Sequence, residues 1–329
     1  MLRSLGEGHV LDRDGSPCET VKASEDHTAT PDGNELGRRP HEGVRSNHVH
    51  GVTNTINLSA LLRIEQVRPD SYRGHGQAGA PKRIFGGQIA AQSLRAAGET
   101  AGEGRVMNSM HSYFLRPGDP SLPVIYRVER LRDGVTYATR RVTATQRSKA
   151  IFTLTASFKR QEVTPDRQPR MGPVPLPESL PDPYAQQGIR SLADHQRATE
   201  IRFVPFTSQD VPGQKVWIKS ATVLADDPLT HVCALAYCSD VTLASTAALP
   251  LRYPLALHEE PHQLMLASLD HAMWIHRAFR ADEWLLFAQK SPSSSDGRGL
   301  ASGEFWTKDG QLVASVTQEA LVRPFEHAA

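Results

Sequence analysis

One proline-rich stretch divides this chain into two flanks with the same plan, and no other feature restricts the possible folds as much. Residues 164–183 carry seven of the 23 prolines. Proline has no amide hydrogen and resists both helix and central strand, so the stretch predicts a linker that runs over the surface. Before it, FGGQIAAQSLRAAGE reads as a helix opened by Gly86–Gly87 and followed by the β-like runs HSYFL, PVIYRVERL, TYATRRVTATQ and AIFTLTASFKR. After it, HVCALAYCSDVTLASTAAL reads as a longer, more apolar helix, preceded by KVWIKSATVL. LMLASLDHAMWIHR, WLLFAQ, LASGEFWT and QLVASVTQEALVR follow that helix. Alternation sets Ala138, Arg140 and Val142 against Tyr137, Thr139 and Arg141, the period of a half-buried strand. The expected architecture is α+β: two similar halves, each a helix packed on a curved antiparallel sheet, as a duplication would produce. The boundaries predicted are 53–160 for the first half, 161–198 for the linker and 199–326 for the second half.

Composition narrows the function classes. The chain has 329 residues with 37 Lys+Arg against 36 Asp+Glu, and this near-balance argues against binding nucleic acid by general phosphate attraction. No run approaches the ~20 apolar residues of a membrane span, and the first residues lack the apolar core of a signal peptide. Three cysteines, Cys18, Cys233 and Cys238, cannot all pair within one chain and show no metal-finger spacing, which is simplest in a reducing cytoplasm. Residues 1–52 hold five of the fourteen histidines and no apolar run longer than two. Such a segment cannot offset its ordering entropy, so it is expected to be a disordered extension, or the product of a start codon placed too far upstream.

Two literal motif matches fail on context. Gly74-x-Gly76-x-x-Gly79 fits the dinucleotide pattern, yet no buried strand precedes it, and Pro81 with Lys82–Arg83 follows where a helix would start. His258-Glu259-x-x-His262 fits a zinc-protease helix, but Pro261 lies inside the turn and Pro254 just before it. GxSxG and GxxxxGK are absent. Cys233 and Cys238 point in different directions on the second helix and read as small apolar groups.

Asp240 stands out because its neighbours one turn away are Ala236, Tyr237, Leu243 and Ala244. A buried charge costs several kcal/mol unless it is paired or used. Either Asp240 is functional, or it caps or hydrogen-bonds a neighbouring strand, or the helix breaks at Ser239 and Asp240 caps a second piece. Ser268 and Gln318 also sit in apolar strands, Gln318 sharing a face with Val316 and Ala320. Alone, each reads as a satisfied buried polar group. Together with Asp240 they have the chemistry to hold a water, the carboxylate taking its proton and the hydroxyl and amide fixing its direction.

The blocks FGGQIAAQSL, HSYFLRPGDP, VERLRDG, TASF, YCSD, SLDHAMWIHR, DEWLLF, SPSSSDGRG and GEFWTKDGQLVASVTQEALVR closely resemble those of the type II acyl-CoA thioesterases, from about Leu58 to Arg323. The resemblance implies a double hot-dog fold, two fused units each a sheet wrapped around a helix. It implies hydrolysis of acyl-CoA to free acid and coenzyme A without metal or organic cofactor, and assembly as a homodimer or homotetramer. The family's catalytic positions fall on Asp240, Ser268 and Gln318, with Ser268 standing where the family carries Thr. The mechanism expected from these residues is direct attack by a water, Asp240 acting as general base and a backbone amide at a helix start, near Gly86–Gly87 or in the second half, stabilising the oxyanion. Gln88 and Gln92 occupy the first helix where a carboxylate is expected, so one site per chain is anticipated, in the second half. His111 is a candidate for lining that site or a structural histidine. Arg298, in the Ser-rich loop 291–299, is a candidate for CoA contact or part of a solvated hairpin. Arg116 and Arg277 are equally read as structural. The other readings are an inactive acyl-CoA-binding module and an enoyl-CoA hydratase, the latter disfavoured because GDxNPxH is missing.

Overall fold

Helix α3 (Pro228–Thr246) forms because its sequence supplies a start signal and then little that water would retain. Asp227 at its N-cap accepts hydrogen bonds from the Leu229 and Thr230 amides, and Pro228 occupies the first turn where its missing N–H is harmless. Every residue from His231 to Asp240 is buried, so this helix is buried around its whole circumference. Leu235 and Leu243 are at most 1% exposed, and burying such a side chain contributes about 1.5–3 kcal/mol. The helix is unbroken at Ser239, so Asp240 lies in its interior and caps nothing. Helix α2 (Gly86–Gly98) is shorter and packs against α3, and a single helical turn, α1 (Leu58–Leu61), precedes both in the chain.

The computed structural model describes residues 56–77, 83–183, 197–205, 211–249 and 264–324. The 1–52 extension, Cys18, Gly79 and the His258–His262 motif lie outside these residues, and from Val52 onward the chain forms one unit.

A single antiparallel sheet wraps the two helices. Its first-half strands are β1 (Ile64–Arg68), β2 (Ser71–His75), β3 (Arg105–Phe114), β4 (Pro123–Asp133), β5 (Tyr137–Gln146) and β6 (Lys149–Arg160). The second half contributes β7 (Thr199–Val204), β8 (Gly213–Ser220), β9 (Leu264–Ser268), β10 (Asp270–Ile275), β11 (Leu285–Ser295), β12 (Arg298–Thr307) and β13 (Leu312–Pro324). The order β1-β2-β4-β5-β6-β3-β10-β13-β12-β11-β8-β7, with β9 also on β13, reads the same from either edge under exchange of the halves. This is the double hot-dog arrangement. The halves join at its centre, where β3 pairs antiparallel with β10, Ala272 opposite His111.

The expected alternation in β5 holds, with Ala138, Arg140 and Val142 buried. Arg140 is tolerated inside because Thr100 O, Thr100 Oγ1, Arg132 O and Asp133 Oδ1 take its guanidinium hydrogens. The proline-rich stretch has no regular structure from residue 161 to 176, yet it is no free spacer. Trp217 donates its indole N–H to Pro175 O, and Gln168 bridges Gly310 O and the Leu312 amide. Met171, Val174 and Leu180 close a small apolar cluster over Trp217, Leu286 and Trp306.

Two structural glutamines correct the reading of α2. Gln88 and Gln92 do not occupy the counterpart of Asp240; their amides donate to Leu61 O and His75 O, and Tyr126 donates to Gln92 Oε1. Gly74, from the rejected dinucleotide match, lies in β2, where a Cβ would stand 2.6 Å from Gln92 Oε1.

Candidate active site

Asp240, Ser268 and Gln318 meet. Gln318, from β13, donates Nε2–H to Asp240 Oδ1 at 2.7 Å, and Ser268, the last residue of β9, donates its hydroxyl to the same oxygen at 3.2 Å. The register explains the meeting: Ser268 pairs with Ala320, two residues from Gln318 on the same face, and that face looks at α3. A third donor arrives from the first half, the Gly87 amide in the first turn of α2.

These donors act against burial. Burial alone drives the Asp240 carboxyl upward, and the hydrogen bonds from Gln318, Ser268 and Gly87, with the Arg83 charge, pull it back, leaving it raised to about 6. A carboxylate there is ionised at neutral pH and holds its proton more firmly than an ordinary aspartate, which suits a general base. Ionised carboxylate has about four acceptor positions, so three protein donors leave room for one water.

Gly86 and Gly87 are required by close approach. A Cβ on Gly86 would stand 2.8 Å from Asp240 Oδ2 and 2.9 Å from the Phe114 ring, and one on Gly87 would meet the Phe85 ring at 2.5 Å and Tyr237 O at 2.8 Å. In this structure the Gly87 amide serves the carboxylate.

Sequence reasoning passed over two neighbours. His271, on β10, is fully buried with Nε2 2.9 Å from Ser239 Oγ. Its ring lies against the Gln318 side chain, while Nδ1 and Gln318 Oε1 have no other partner. Because Gln318 turns its NH₂ to Asp240, Oε1 faces the other way, and the tautomer with the proton on His271 Nδ1 offers it a donor once the Ser239 hydroxyl turns from Ala236 O to Nε2. Burial lowers the imidazole to about 4, so it is neutral. Arg83 donates to Leu266 O beside Ser268 and contributes positive charge to the site. The only sequence signal for it was the basic Lys82–Arg83 pair, counted merely as evidence against a dinucleotide helix.

The remaining candidates lie elsewhere. His111 is exposed, on the opposite strand face from buried Met110 and Ser112, and its ring packs edge-on against Trp274 at 5.2 Å. It is not brought to Asp240, because β3 alternates and position 111 has the outward parity. Arg298 pairs with Glu319 at 3.0 Å and Asp296 at 3.1 Å beside the Asp296–Gly297 turn, whose residues both have positive φ. Arg277 binds Asp166 and donates to Leu312 O, and Arg116 donates to Ala150 O. Cys233 and Cys238 are buried, and burial pushes both thiols up to about 12. Asp240 lines neither the cavity beside Tyr72 and Cys233 nor the one beside Met107 and Val232.

The family description "acyl-CoA thioesterase" matches residues 190–321, and "acyl-CoA thioesterase N-terminal domain" matches residues 75–159. Human acyl-coenzyme A thioesterase 8 is 35% identical over 295 residues, 83% of this chain and 91% of the relative. The chain belongs to the acyl-CoA thioesterase family. Acyl-CoA thioesterase 2 of Haemophilus influenzae is 35% identical over 284 residues, 81% of this chain and 97% of that one. The crystal structure of acyl-CoA thioesterase II from Mycobacterium marinum superposes with a TM-score of 0.70 at 39% identity, covering 82% of this chain and 98% of the other. A hot-dog protein of unknown function from Alicyclobacillus acidocaldarius, 18% identical, has a TM-score of 0.67 and shares the fold. Membership makes the protein a thioester hydrolase on a double hot-dog scaffold. No helix among the described residues is long and apolar enough to cross a membrane.

Proposed function

We propose that this acyl-CoA thioesterase family member hydrolyses acyl-CoA to a free acid and coenzyme A by direct attack of one water at the Asp240 site. The observation that carries the reading is the convergence of three donors from three elements on one buried carboxylate whose affinity for a proton is raised. Asp240 takes a proton from the water in its open acceptor position, and the hydroxide oxygen forms the bond to the thioester carbonyl carbon. Ser268 and Gln318 fix that water's direction, and His271 holds Gln318 from behind as a positioning residue. Negative charge developing on the carbonyl oxygen is met by the partial positive charge at the start of α2. When the tetrahedral species collapses, the carbon–sulfur bond breaks and the coenzyme A thiolate leaves, taking up the proton Asp240 holds.

No side chain needs to be acylated in this scheme, which agrees with the Ser268 hydroxyl donating to a carboxylate and with Ser239, the hydroxyl beside His271, being fully buried. The test is release of free thiol from a panel of saturated acyl-CoAs of increasing chain length. Thiol production above background with at least one chain length, lost in Asp240→Asn, supports the reading. Tight acyl-CoA binding without thiol from any substrate would instead favour the inactive binding module.

A further inference from the structure

The two halves are related by an internal dyad, and the contacts between α2 and α3 show which residues correspond. The Gly87 amide meets Asp240, and reciprocally a Cβ on Gly98 would stand 2.4 Å from Leu229. The Phe85 ring packs edge-on against Tyr237, and reciprocally Arg95 bonds Asp227 at 2.9 Å. Gly98 thus stands where Asp240 stands, Leu229 for Gly87 and Asp227 for Phe85. On the strands, Ser268 opposite Ala320 is matched by Met107 opposite Phe158, which sets Ala156 in the place of Gln318. The second half-site has Gly98, Met107 and Ala156 in place of the polar trio, so it has no base and nothing to hold a water.

That half-site is nevertheless open. A cavity of about 650 Å³ lies there, walled by Met107 and its neighbours, by Pro228, His231 and Val232 of the first turn of α3, and by the segment from Ile275 to Arg280. Its volume is in the range of small-molecule sites. Apolar side chains (Met107, Val232, Ile275, Phe279) form one part of the wall; of the lining cations, Lys159 pairs with Glu162, Arg277 with Asp166 and Arg280 with Asp226 and Asp282, while Arg160 donates to the Val135 carbonyl and makes no ion pair among the described residues. His231 adds a buried donor. Its Nδ1 accepts the Ala281 amide at 3.2 Å, so the neutral ring carries its proton on Nε2, and Nε2 has no partner although His231 is only 4% exposed. An unpartnered buried donor costs about 1–3 kcal/mol, and this one lies behind the cavity wall with no accessible surface of its own.

We infer that this dyad-related cavity is a second ligand site, which binds an acyl chain carrying an anionic head group and leaves it intact. The chain lies against Met107, Val232 and Ile275, and the head group meets Arg160. Binding there needs no turnover, so the site stands or falls separately from hydrolysis at Asp240.

The test is photolabelling of the full chain with a dodecanoate bearing a tail diazirine, followed by peptide mapping. The expected result is saturable label on the 106–108 or 275–280 segments, equal in wild type and Asp240→Asn. Ala278→Trp, at an exposed position on the cavity rim, and Arg160→Glu should each lower that label at least tenfold, and thermal melting checks that both variants fold. Competition runs in parallel with dodecanoate and with the stable thioether S-dodecyl-coenzyme A. Protection by the acid identifies the free carboxylate as occupant, and protection by the thioether alone identifies the coenzyme A ester. Label confined to the Gly86–Asp240 cleft, label that neither competitor reduces, or label unchanged in both folded variants overturns the inference.

Discussion

Replacing Asp240 by Asn removes the proposed base while keeping shape, and its consequences follow from the carboxyl being raised to about 6 by burial. At pH 5 a group with that value is ionised in about one molecule in eleven, against roughly nine in ten for an ordinary aspartate. Wild-type kcat/KM should therefore be about tenfold below its neutral plateau at pH 5, falling with unit slope on the acid side. In Asp240→Asn the plateau should drop about 10²–10⁴-fold, and the acid limb near 6 should vanish. Coenzyme A release followed with 4,4′-dithiodipyridine gives both profiles on one scale. Stability should change with the opposite sense to activity. The folded carboxyl keeps its proton between about 4 and 6 while the unfolded one has lost it, so this group's contribution falls as pH rises through that window. A rise of about two units corresponds to about 3 kcal/mol, and the urea midpoint of Asp240→Asn should lack this portion of the pH dependence. A wild-type rate that stays flat to pH 5, or an acid limb that survives in Asp240→Asn, would refute the assignment of Asp240 as base.

Other substitutions probe the supporting groups. Ser268→Thr keeps the donor to Asp240 and should stay within about threefold of wild type, while Ser268→Ala loses a hydrogen bond to a charged group and should cost about tenfold or more in kcat; the reverse order would exclude a hydroxyl contact. His271→Ala should lower kcat about 10–100-fold by releasing the Gln318 amide, with KM nearly unchanged and partial recovery in His271→Asn. A rise in KM alone would assign His271 to substrate contact instead. Gly86→Ala places a Cβ 2.8 Å from Asp240 Oδ2 and should cost about tenfold or more in kcat with the fold retained, and wild-type rates would show that the carboxylate can move aside without loss.

Much of this arrangement was legible in the sequence, because periodicity reports burial directly. Helices were expected where α2 and α3 lie, and eight of the nine β-like runs fall on one strand each, while LMLASLDHAMWIHR divides into β9 and β10, because buried sheet positions alternate and buried helices are largely apolar. Strands β1, β2 and β7 were not expected: β1 is exposed at four of five positions, so it has no alternation to read, and β2, with Ser71, Tyr72 and Gly74 buried, overturns the reading that no buried strand precedes the glycine motif. Asp240 was visible as a charge in an apolar helix, and Gln318 as an amide on a buried strand face. What joins them is not local. Ser268 reaches Asp240 through the β9–β13 register, and Gly87 through packing of α2 on α3, which no single segment encodes. His271 escaped notice since an isolated histidine on a strand has no pattern of its own; its role depends on an unpaired nitrogen beside an unpaired amide oxygen. His111 misled for the complementary reason, as the conspicuous HSYFL block gives no means of telling which strand face looks at the helices.

The most direct test of the hydrolytic account is a crystal structure with a ketone analogue of the substrate, the thioester sulfur replaced by methylene. The account predicts one ordered water in contact with Asp240, Ser268 and Gln318, about 3–3.5 Å from the carbonyl carbon, with the carbonyl oxygen toward the start of α2. A carbonyl carbon out of reach of Asp240, or seated against another nucleophilic side chain, would contradict it.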